Sequence, residues 1–353
     1  MDYRLDGTKI DLHPERVAAW LRGESVAPLY LEIAPAGGCN HRCTFCAVDY
    51  LGYERRFLPF DIVLERLHEM GAMGVKSIMW AGEGEPLLHK ALATFIRRGH
   101  EAGIDQAITT NGIALTEPFC REAFPHLAWI KVSINAGWGD DYVRIHQTSL
   151  ADWDRLWVNL DRAVLIREQL GASVTLGVQM VVLPENIAHA SDLALRCYMS
   201  GLDYLVLKPY SHHPKSLTRR YKDMAYADLF AAAEEVARTA QGIQVIVRHD
   251  TAARVQRARE YDRCYATPHF WAYVMATGDV YACSAYLGDE RFRLGNLIEQ
   301  SFAEIWTGPA KQACQQLVDE QLDISECRKS CRMDHANVYL HRLRNPEPHD
   351  AFI

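Results

Sequence analysis

Short β-branched runs alternate with amphipathic stretches from about residue 29 to about residue 248 of this 353-residue chain, and this alternation limits the possible folds more than any other feature. The stretch from Phe60 to Met73 has apolar residues at helical spacing, and the stretch from Asn186 to Gly201 opens with an Asn that can cap a helix. Six strand–helix units predict a parallel sheet, closed or partly closed into a barrel, with its chemistry at the carboxyl ends of the strands. The strand candidates are centred near Ile33, Ile78, Ile108, Val132, Val178 and Val206.

The pattern changes after Arg248. A cysteine-bearing hairpin, FWAYVMATGDVYACSAY with its turn at Gly278 and Asp279, is followed by a helical stretch near Ile305. We therefore predict an α/β protein with two domains: a partial (β/α)6 TIM-like barrel over residues 1–248 and a smaller module over residues 249–353. The longest linker-like segment is the polar stretch 211–223.

Composition limits the environment and the partners. No apolar run approaches the roughly 20 residues that span a bilayer, and the N-terminal segment lacks the apolar core of a signal peptide. We therefore expect a cytoplasmic protein without a membrane partner, in which ten cysteines stay reduced and serve metal or redox chemistry. The net charge of -7, with both signs interspersed, makes nucleic acid an unexpected partner.

The loop after the first predicted strand, GGCNHRCTFCAVDY, gathers Cys39, Cys43 and Cys46. Three thiolates that bind a four-iron cluster leave one iron without a protein ligand, so a small molecule can bind the metal directly. Two alternatives remain open at this point: a zinc site in which His41 is the fourth ligand, and unrelated core cysteines.

This loop resembles the CxxxCxxC motif of the radical SAM superfamily, including the aromatic residue, Phe45, before the third cysteine. The resemblance implies that a 4Fe-4S cluster binds S-adenosylmethionine (SAM) and cleaves it reductively. The 5'-deoxyadenosyl radical then abstracts hydrogen from a substrate, and Phe45 packs near the adenine.

Further matches follow between about residues 30 and 210. The segment AGEGEPLL resembles the family's GEP element, in which Gly84, Glu85 and Pro86 would present backbone groups to the methionyl amine. The alternatives are that Glu85 only organises its loop and that the other polar side chains satisfy backbone groups at strand ends. The resemblance also predicts SAM contacts for polar residues at later strand ends, namely Asn111, Ser133, Asn135 and Gln179.

A second set of cysteines resembles the Twitch domain, a shortened relative of the SPASM domain. The resemblance implies one auxiliary 4Fe-4S cluster. The three-residue gap in CRKSC, where two residues are commoner, leaves open whether all four cysteines bind, and a structural zinc ribbon is the alternative. The four residues are Cys264, Cys283, Cys327 and Cys331.

Three further residues are catalytic candidates. Glu32 is a lone carboxylate on a buried strand, which predicts either an active-site role or an ion pair with a Lys or Arg. Lys208 ends the sixth strand. Cys314 is the candidate hydrogen-atom donor, whereas Cys120 and Cys197 are expected to behave as small core residues.

The substrate prediction rests on a resemblance to radical SAM enzymes that modify sugars and nucleosides, cytosylglucuronate decarboxylases among them. We expect a small sugar-like or nucleoside substrate, decarboxylation of a uronic acid, and a flavodoxin- or ferredoxin-type reductant. Dehydrogenation and epimerisation are the alternative reactions. An electron carrier or a zinc-binding regulator is the non-enzymatic alternative, but neither requires a GEP element. Candidate cations for the substrate carboxylate are Lys131, Lys208, Arg219 and Arg220, the two arginines alternatively being surface charges.

Overall fold

The computed structural model describes residues 7–248, 258–329 and 331–352. Its strands form one ten-stranded sheet with the order β10-β9-β8-β1-β2-β3-β4-β5-β6-β7. The strands are β1 (Tyr30–Ile33), β2 (Ser77–Trp80), β3 (Asp105–Thr110), β4 (Leu127–Ser133), β5 (Thr175–Val182), β6 (Tyr204–Pro209), β7 (Gln244–Val247), β8 (Trp271–Val274), β9 (Asp279–Tyr281) and β10 (Arg293–Asn296).

Strands β1 to β7 run parallel and pair in chain order. This arrangement confirms the predicted α/β fold and all six predicted strands. The seventh strand, β7, was not predicted, because its run of three apolar residues is too short to be recognised as a strand from the sequence; Gln244 is exposed and the other three residues are partly buried. Within the described residues, β7 pairs with β6 alone, so the sheet is an open one.

Helices connect the parallel strands, as a parallel sheet requires. The described helices are α1 (Pro14–Leu21), α2 (Phe60–Ala72), α3 (Leu92–Glu101), α4 (Glu117–Ala123), α5 (Gly139–His146), α6 (Leu150–Leu170), α7 (Ala190–Met199), α8 (Ala227–Thr239), α9 (Phe302–Thr307), α10 (Pro309–Glu320) and α11 (Asp334–Arg344). No helix of the described ranges is both long and apolar enough to cross a membrane.

The helical predictions hold, with one correction at a helix start. Helix α2 buries Val63, Leu67 and Met70 along one face, as its spacing predicts. The Asn186 side chain, however, does not cap the helical stretch that follows it. Its oxygen instead accepts the Leu183 backbone N–H at 2.8 Å, and its amide donates to the Asn135 backbone oxygen at 2.9 Å.

The predicted hairpin is present, and it continues the main sheet. Strands β8 and β9 pair antiparallel, and the turn contains Gly278 with a φ of 87°. Strand β8 also pairs in parallel with β1, in the register of Leu31 opposite Ala272. The sheet therefore runs from the predicted barrel into the predicted C-terminal module, while residues 249–257, which follow the predicted boundary, lie outside the described residues.

Alternation along the strands gives the sheet one apolar and one partly polar face. In β4, Ile130 and Val132 belong to the hydrophobic core, whereas Lys131 and Ser133 point to the opposite face. In β1, Leu31 and Ile33 flank Glu32 in the same way. The polar side chains of neighbouring strands therefore share one face, which becomes the inner wall of the site.

Candidate active site and metal centres

The first three-cysteine loop lies at the carboxyl end of β1. Cys39, Cys43 and Cys46 are partly buried and line one cavity. The loop is held by the end of α5, since Thr44 N–H donates to the Ile145 carbonyl at 2.9 Å. Burial raises the pKa of Cys39 to about 11 and so disfavours its thiolate in the free protein. Three thiols on one cavity are a donor set that fits a metal cofactor.

The GEP segment lies directly against this loop. A Cβ atom at Gly84 would overlap the carbonyl oxygens of Ala36 and Gly38, and the Glu85 N–H donates to the Gly38 oxygen at 2.9 Å. A glycine is therefore required at 84 by contact between two loops of the protein, and not only by the ligand approach that the sequence predicted. Pro86 is buried at the start of a short 3-10 helix behind the cavity.

The Glu85 carboxylate organises the neighbouring loop, which was one of the two expectations for it. It accepts hydrogen bonds from the Thr110 hydroxyl and from the backbone N–H groups of Asn111 (2.8 Å) and Leu87 (3.1 Å). Burial raises its pKa to about 7 against the effect of these hydrogen bonds. Through these bonds, Glu85 ties the loop after β2 to the end of β3.

The structure brings the predicted strand-end residues together. They line the same cavity as the three cysteines, and the set comprises Phe45, Gly84, Glu85, Asn111, Ser133, Asn135, Gln179 and Lys208. Asn135 has a φ of 55°, and its side-chain oxygen accepts the Val181 N–H at 2.7 Å. Its amide is therefore at least partly committed to joining β4 to β5.

Sequence reasoning missed His146, which ends α5. Its Nδ1 lies 3.5 Å from the Cys43 sulfur, and its Nε2 lies 2.6 Å from the Ile134 carbonyl oxygen, to which it donates. Burial and the neighbouring His41 lower the pKa of His146 to about 3. No sequence signal marked this histidine, because 103 residues separate it from Cys43.

The second set of cysteines also converges on one cavity. Cys264 precedes β8, Cys283 follows β9, and Cys327 and Cys331 lie before α11; all four are partly buried and line the same space. The Tyr286 hydroxyl lies 3.0 Å from the Cys327 sulfur. The wider gap in CRKSC therefore does not remove either cysteine from the group.

Sulfur spacing distinguishes a single zinc ion from a larger cluster. A tetrahedral zinc site with Zn–S bonds of 2.3 Å places its sulfurs about 3.8 Å apart. Among the described residues, one group of three metal-ligating side chains has its ligand atoms within 4.8 Å of one another. The group is His41, Cys43 and His146, and it contains only one cysteine. In the described residues neither cysteine set therefore has three sulfurs within 4.8 Å of one another, and this wider spacing favours a multinuclear cluster over one zinc ion.

The two cavities share a wall formed by Gln179, Lys208, Ser211 and Arg328. Six cationic side chains line the second cavity, and no carboxylate does so among the described residues. We call this set the basic wall. Its members are Lys131, Lys208, Arg248, Arg259, Arg328 and Arg332.

Two members of the basic wall directly follow auxiliary cysteines. Arg328 reaches across the cavity, where its Nε donates to the Ser211 hydroxyl at 2.6 Å. Arg332 forms an ion pair with Glu32 and donates to the Tyr30 hydroxyl at 2.6 Å. The sequence search missed both arginines, although their positions next to Cys327 and Cys331 could have marked them.

The lysines of the wall are electrostatically crowded. Burial, with Arg332 and Arg248 nearby, lowers the pKa of Lys131 to about 7. Burial and the neighbouring cations, Lys131 first among them, lower the pKa of Lys208 well below its ordinary value. An anion bound between these amines would relieve this repulsion.

The remaining catalytic candidates lie elsewhere. Glu32 lines neither cavity and is paired with Arg332, which matches the ion-pair expectation rather than contact with a reacting group. Cys314 is fully buried in the hydrophobic core and lines neither cavity, so its position does not support the predicted role as hydrogen donor. Arg219 and Arg220 are exposed, and Arg220 pairs with Glu185 at 3.2 Å.

Comparison with known proteins agrees with this geometry. Residues 33–194 match the radical SAM superfamily, and residues 264–332 match the SPASM family, described as an iron-sulfur cluster-binding domain. The chain therefore contains a radical SAM domain and, towards its C-terminus, an iron-sulfur cluster-binding domain. These domains imply SAM, a 4Fe-4S cluster and auxiliary iron-sulfur chemistry.

Relatives with named activities differ among themselves. The chain is 39% identical over 103 residues to the S-adenosylmethionine-dependent nucleotide dehydratase of Lacinutrix mariniflava, a match that covers 28% of this chain and 21% of that protein. It is 25% identical over 300 residues to the tungsten-containing aldehyde ferredoxin oxidoreductase cofactor-modifying protein of Pyrococcus furiosus, with 79% and 80% coverage. The match to the GTP 3',8-cyclase of Helicobacter pylori strain J99 is 27% identical and covers 57% of this chain and 62% of the cyclase.

Solved structures show the same fold. Streptococcus suis SuiB bound to S-adenosylmethionine superposes with a TM-score of 0.66 at 19% identity, and the match covers 96% of this chain and 80% of that chain. Native anSMEcpe with bound AdoMet gives a TM-score of 0.58 at 16% identity, covering 90% and 97% of the two chains. At these identities the likeness concerns the fold alone.

Proposed function

We propose that this protein abstracts a hydrogen atom from a sugar carbon of an anionic substrate and decarboxylates a uronic acid nucleoside of the cytosylglucuronate type. In this proposal Cys39, Cys43 and Cys46 hold the SAM-binding 4Fe-4S cluster. An auxiliary 4Fe-4S cluster is held by Cys264, Cys283, Cys327 and Cys331. When bound, the first cluster and SAM supply the radical that takes the hydrogen atom.

The observation that carries the proposal is the basic wall. A carboxylate or phosphate entering the space between the two cysteine sites meets Lys131 and Lys208 from the barrel and Arg328 from the auxiliary segment. Charge-assisted hydrogen bonds from such groups are stronger than neutral ones, and the arginine fork can bind a carboxylate through two bonds. Lys208 and Arg328 also line the cavity of the first cysteine loop, so an anion held by them lies beside the predicted SAM site.

The chain's own residues have three tasks in this scheme. Lys131 and Lys208 orient the carboxylate, and Gln179 offers an amide to the sugar hydroxyls at the shared wall. Glu32 holds Arg332 in place through their ion pair. Loss of carbon dioxide leaves a product radical, which gains one electron from the flavodoxin- or ferredoxin-type reductant and one proton from solvent before release. Because Glu32 acts through its ion pair with Arg332, it is a positioning residue in this scheme.

A second candidate is a nucleotide whose phosphates occupy the basic wall. Even without Arg332, which pairs with Glu32, the basic wall has more cations than a single carboxylate requires. Two of the relatives are named for activity on nucleotides or GTP. This candidate predicts hydrogen abstraction from the ribose without release of carbon dioxide.

The test is anaerobic turnover with SAM, a reductant and ring-deuterated substrates from both classes. The proposal expects deuterium in 5'-deoxyadenosine and carbon dioxide in step with product from a uronic acid nucleoside. Label transfer from a nucleotide without carbon dioxide would select the second candidate. A ketone without carbon dioxide would indicate dehydrogenation, and solvent deuterium in an unchanged skeleton would indicate epimerisation.

A further inference from the structure

A cationic segment lies on the outer surface beside the first cysteine loop. Residues 211–222, SHHPKSLTRRYK, contain no acidic residue, although the whole chain has a net charge of -7. We call residues 211–222 the basic strap. Its four charged side chains are exposed, and they are Lys215, Arg219, Arg220 and Lys222.

The basic strap is fastened to the cysteine loop by a single carboxylate. Asp49, three residues after Cys46, accepts the backbone N–H groups of Leu217 and Thr218, each at 2.8 Å. It also accepts the Ser216 hydroxyl at 3.0 Å. These bonds fix a segment that the sequence presented only as a polar linker.

Two further contacts bring the strap onto the backbone of the cysteine loop itself. The Ser216 hydroxyl lies 3.2 Å from the Cys46 carbonyl oxygen, and the Thr218 hydroxyl donates to the Thr44 carbonyl at 3.1 Å. The Thr44 side chain in turn lies 3.0 Å from the Tyr221 hydroxyl. The exposed cations of the strap are therefore attached to the outer side of the segment that contains Cys43 and Cys46.

The cysteine loop itself carries an exposed cation. Arg42 is exposed, and its guanidinium donates to the Cys39 carbonyl at 2.7 Å and lies 4.3 Å from the centre of the Tyr53 ring. The loop and the strap attached to it therefore both present exposed cations to solvent. Ser211 at the start of the strap lines the shared wall, but the strap's four cations line neither cavity and are distinct from the basic wall, which faces the interior between the two cysteine sites.

Reductive SAM cleavage needs one electron from outside the chain for each event. We propose that the basic strap, with Arg42, is the docking surface for a small acidic one-electron carrier protein that reduces the cluster assigned to Cys39, Cys43 and Cys46. One electron leaves the carrier's reduced flavin or iron-sulfur centre and enters this cluster, and no bond is made or broken in that step. Electron-transfer encounters use small interfaces, and opposite charges steer them at low ionic strength.

This inference rests on the radical SAM assignment and is independent of the substrate. Its readout is 5'-deoxyadenosine formation without substrate, so it can fail while the proposed decarboxylation stands, and the reverse also holds. The probe carrier is reduced flavodoxin, an acidic protein. The reference reductants are dithionite, which is anionic, and reduced methyl viologen, which is cationic, so that the charge of a small reductant is controlled.

The test variant is Lys215→Glu/Arg219→Glu/Lys222→Glu in the full chain. With flavodoxin at low salt, we expect 5'-deoxyadenosine formation to fall about tenfold or more, within the range of electrostatic steering. With both small reductants, the rate stays within about twofold of the wild type. Wild-type rates with flavodoxin fall as salt rises, whereas the variant's rate hardly changes.

The matched control, Arg97→Glu/Arg121→Glu/Arg162→Glu, reverses the same number of charges on the outer helices α3, α4 and α6. We expect this control to retain the wild-type rate with flavodoxin. An equal loss in this control, or an unchanged rate in the strap variant, overturns the inference. If the strap variant binds less iron, the neutral variant Lys215→Gln/Arg219→Gln/Lys222→Gln replaces it. A loss shared by flavodoxin and both small reductants in that neutral variant also overturns the inference.

Discussion

Replacing Lys208 by Met should weaken substrate use without weakening the fold. The Lys208 amine lies on the wall shared by the two cavities, and burial together with neighbouring cations already lowers its pKa. Methionine keeps the apolar stem and removes a charge that the free protein accommodates poorly. A hydrogen bond to a charged group contributes about 1.5–3 kcal/mol, so the loss in kcat/KM should be roughly 10- to 150-fold.

Three measurements separate this expectation from simple damage. Product formation with the anionic substrate should fall by the stated factor, while substrate-free 5'-deoxyadenosine formation stays within about twofold. The midpoint of anaerobic urea unfolding should stay level or rise, because the substitution removes one of several neighbouring positive charges. Lys90→Met, at an exposed position, is the control for loss of one positive charge. A kcat/KM within twofold of the wild type, or a clear fall in the unfolding midpoint, would refute the reasoning.

Gly84→Ala should severely lower the iron content and SAM cleavage, because the added methyl overlaps two backbone oxygens of the cysteine loop. Gly38→Ala is the control and should retain cluster binding, since the nearest atom to a Cβ added at Gly38 lies 3.6 Å away. Iron analysis and visible absorption of both variants decide this, and equal behaviour would contradict the packing argument. Cys43→Ala should abolish 5'-deoxyadenosine formation, and any retained SAM cleavage would refute its assignment as a cluster ligand. Cys283→Ala should remove only the auxiliary cluster's signal in Mössbauer or EPR spectra if the fold survives, and an unchanged cluster count would contradict the second site. Arg328→Met should raise KM for the anionic substrate more than it lowers substrate-free SAM cleavage, and the opposite pattern would show that Arg328 serves the first cluster.

Local patterns were sufficient for most of the elements and for the first set of cysteines, whereas the second set was grouped by its resemblance to the Twitch domain. The β-branched runs predicted six of the seven parallel strands β1 to β7, and the spacing of Cys39, Cys43 and Cys46 predicted a shared loop. The contacts expected for Ser133 and Gln179 came from the resemblance to the radical SAM superfamily, and in the structure Ser133 ends β4 whereas Gln179 lies within β5. The strand and loop predictions depend on residues close together in the chain.

Long-range pairing was beyond the reach of sequence patterns. The ion pair of Glu32 with Arg332 joins residues 300 positions apart, and either a Lys or an Arg was an equally good expectation. His146 reaches Cys43 only because α5 ends against the cysteine loop. Cys314 looked available in the sequence, yet packing of α10 places it in the core.

The sequence by itself determined the chemistry of the ligands, because it specifies which side chains are thiols, amines or carboxylates. Residues a few positions apart in the chain also stay close in space in any fold. Tertiary structure alone decided which of them meet. Pairing of β8 with β1 brings the auxiliary cysteines to the edge of the barrel sheet, and that placement puts Arg328 beside Ser211 and gives the two cavities a common cationic wall. The physical reason is that burial and electrostatic interaction depend on distance in space, which the positions of residues along the chain do not report.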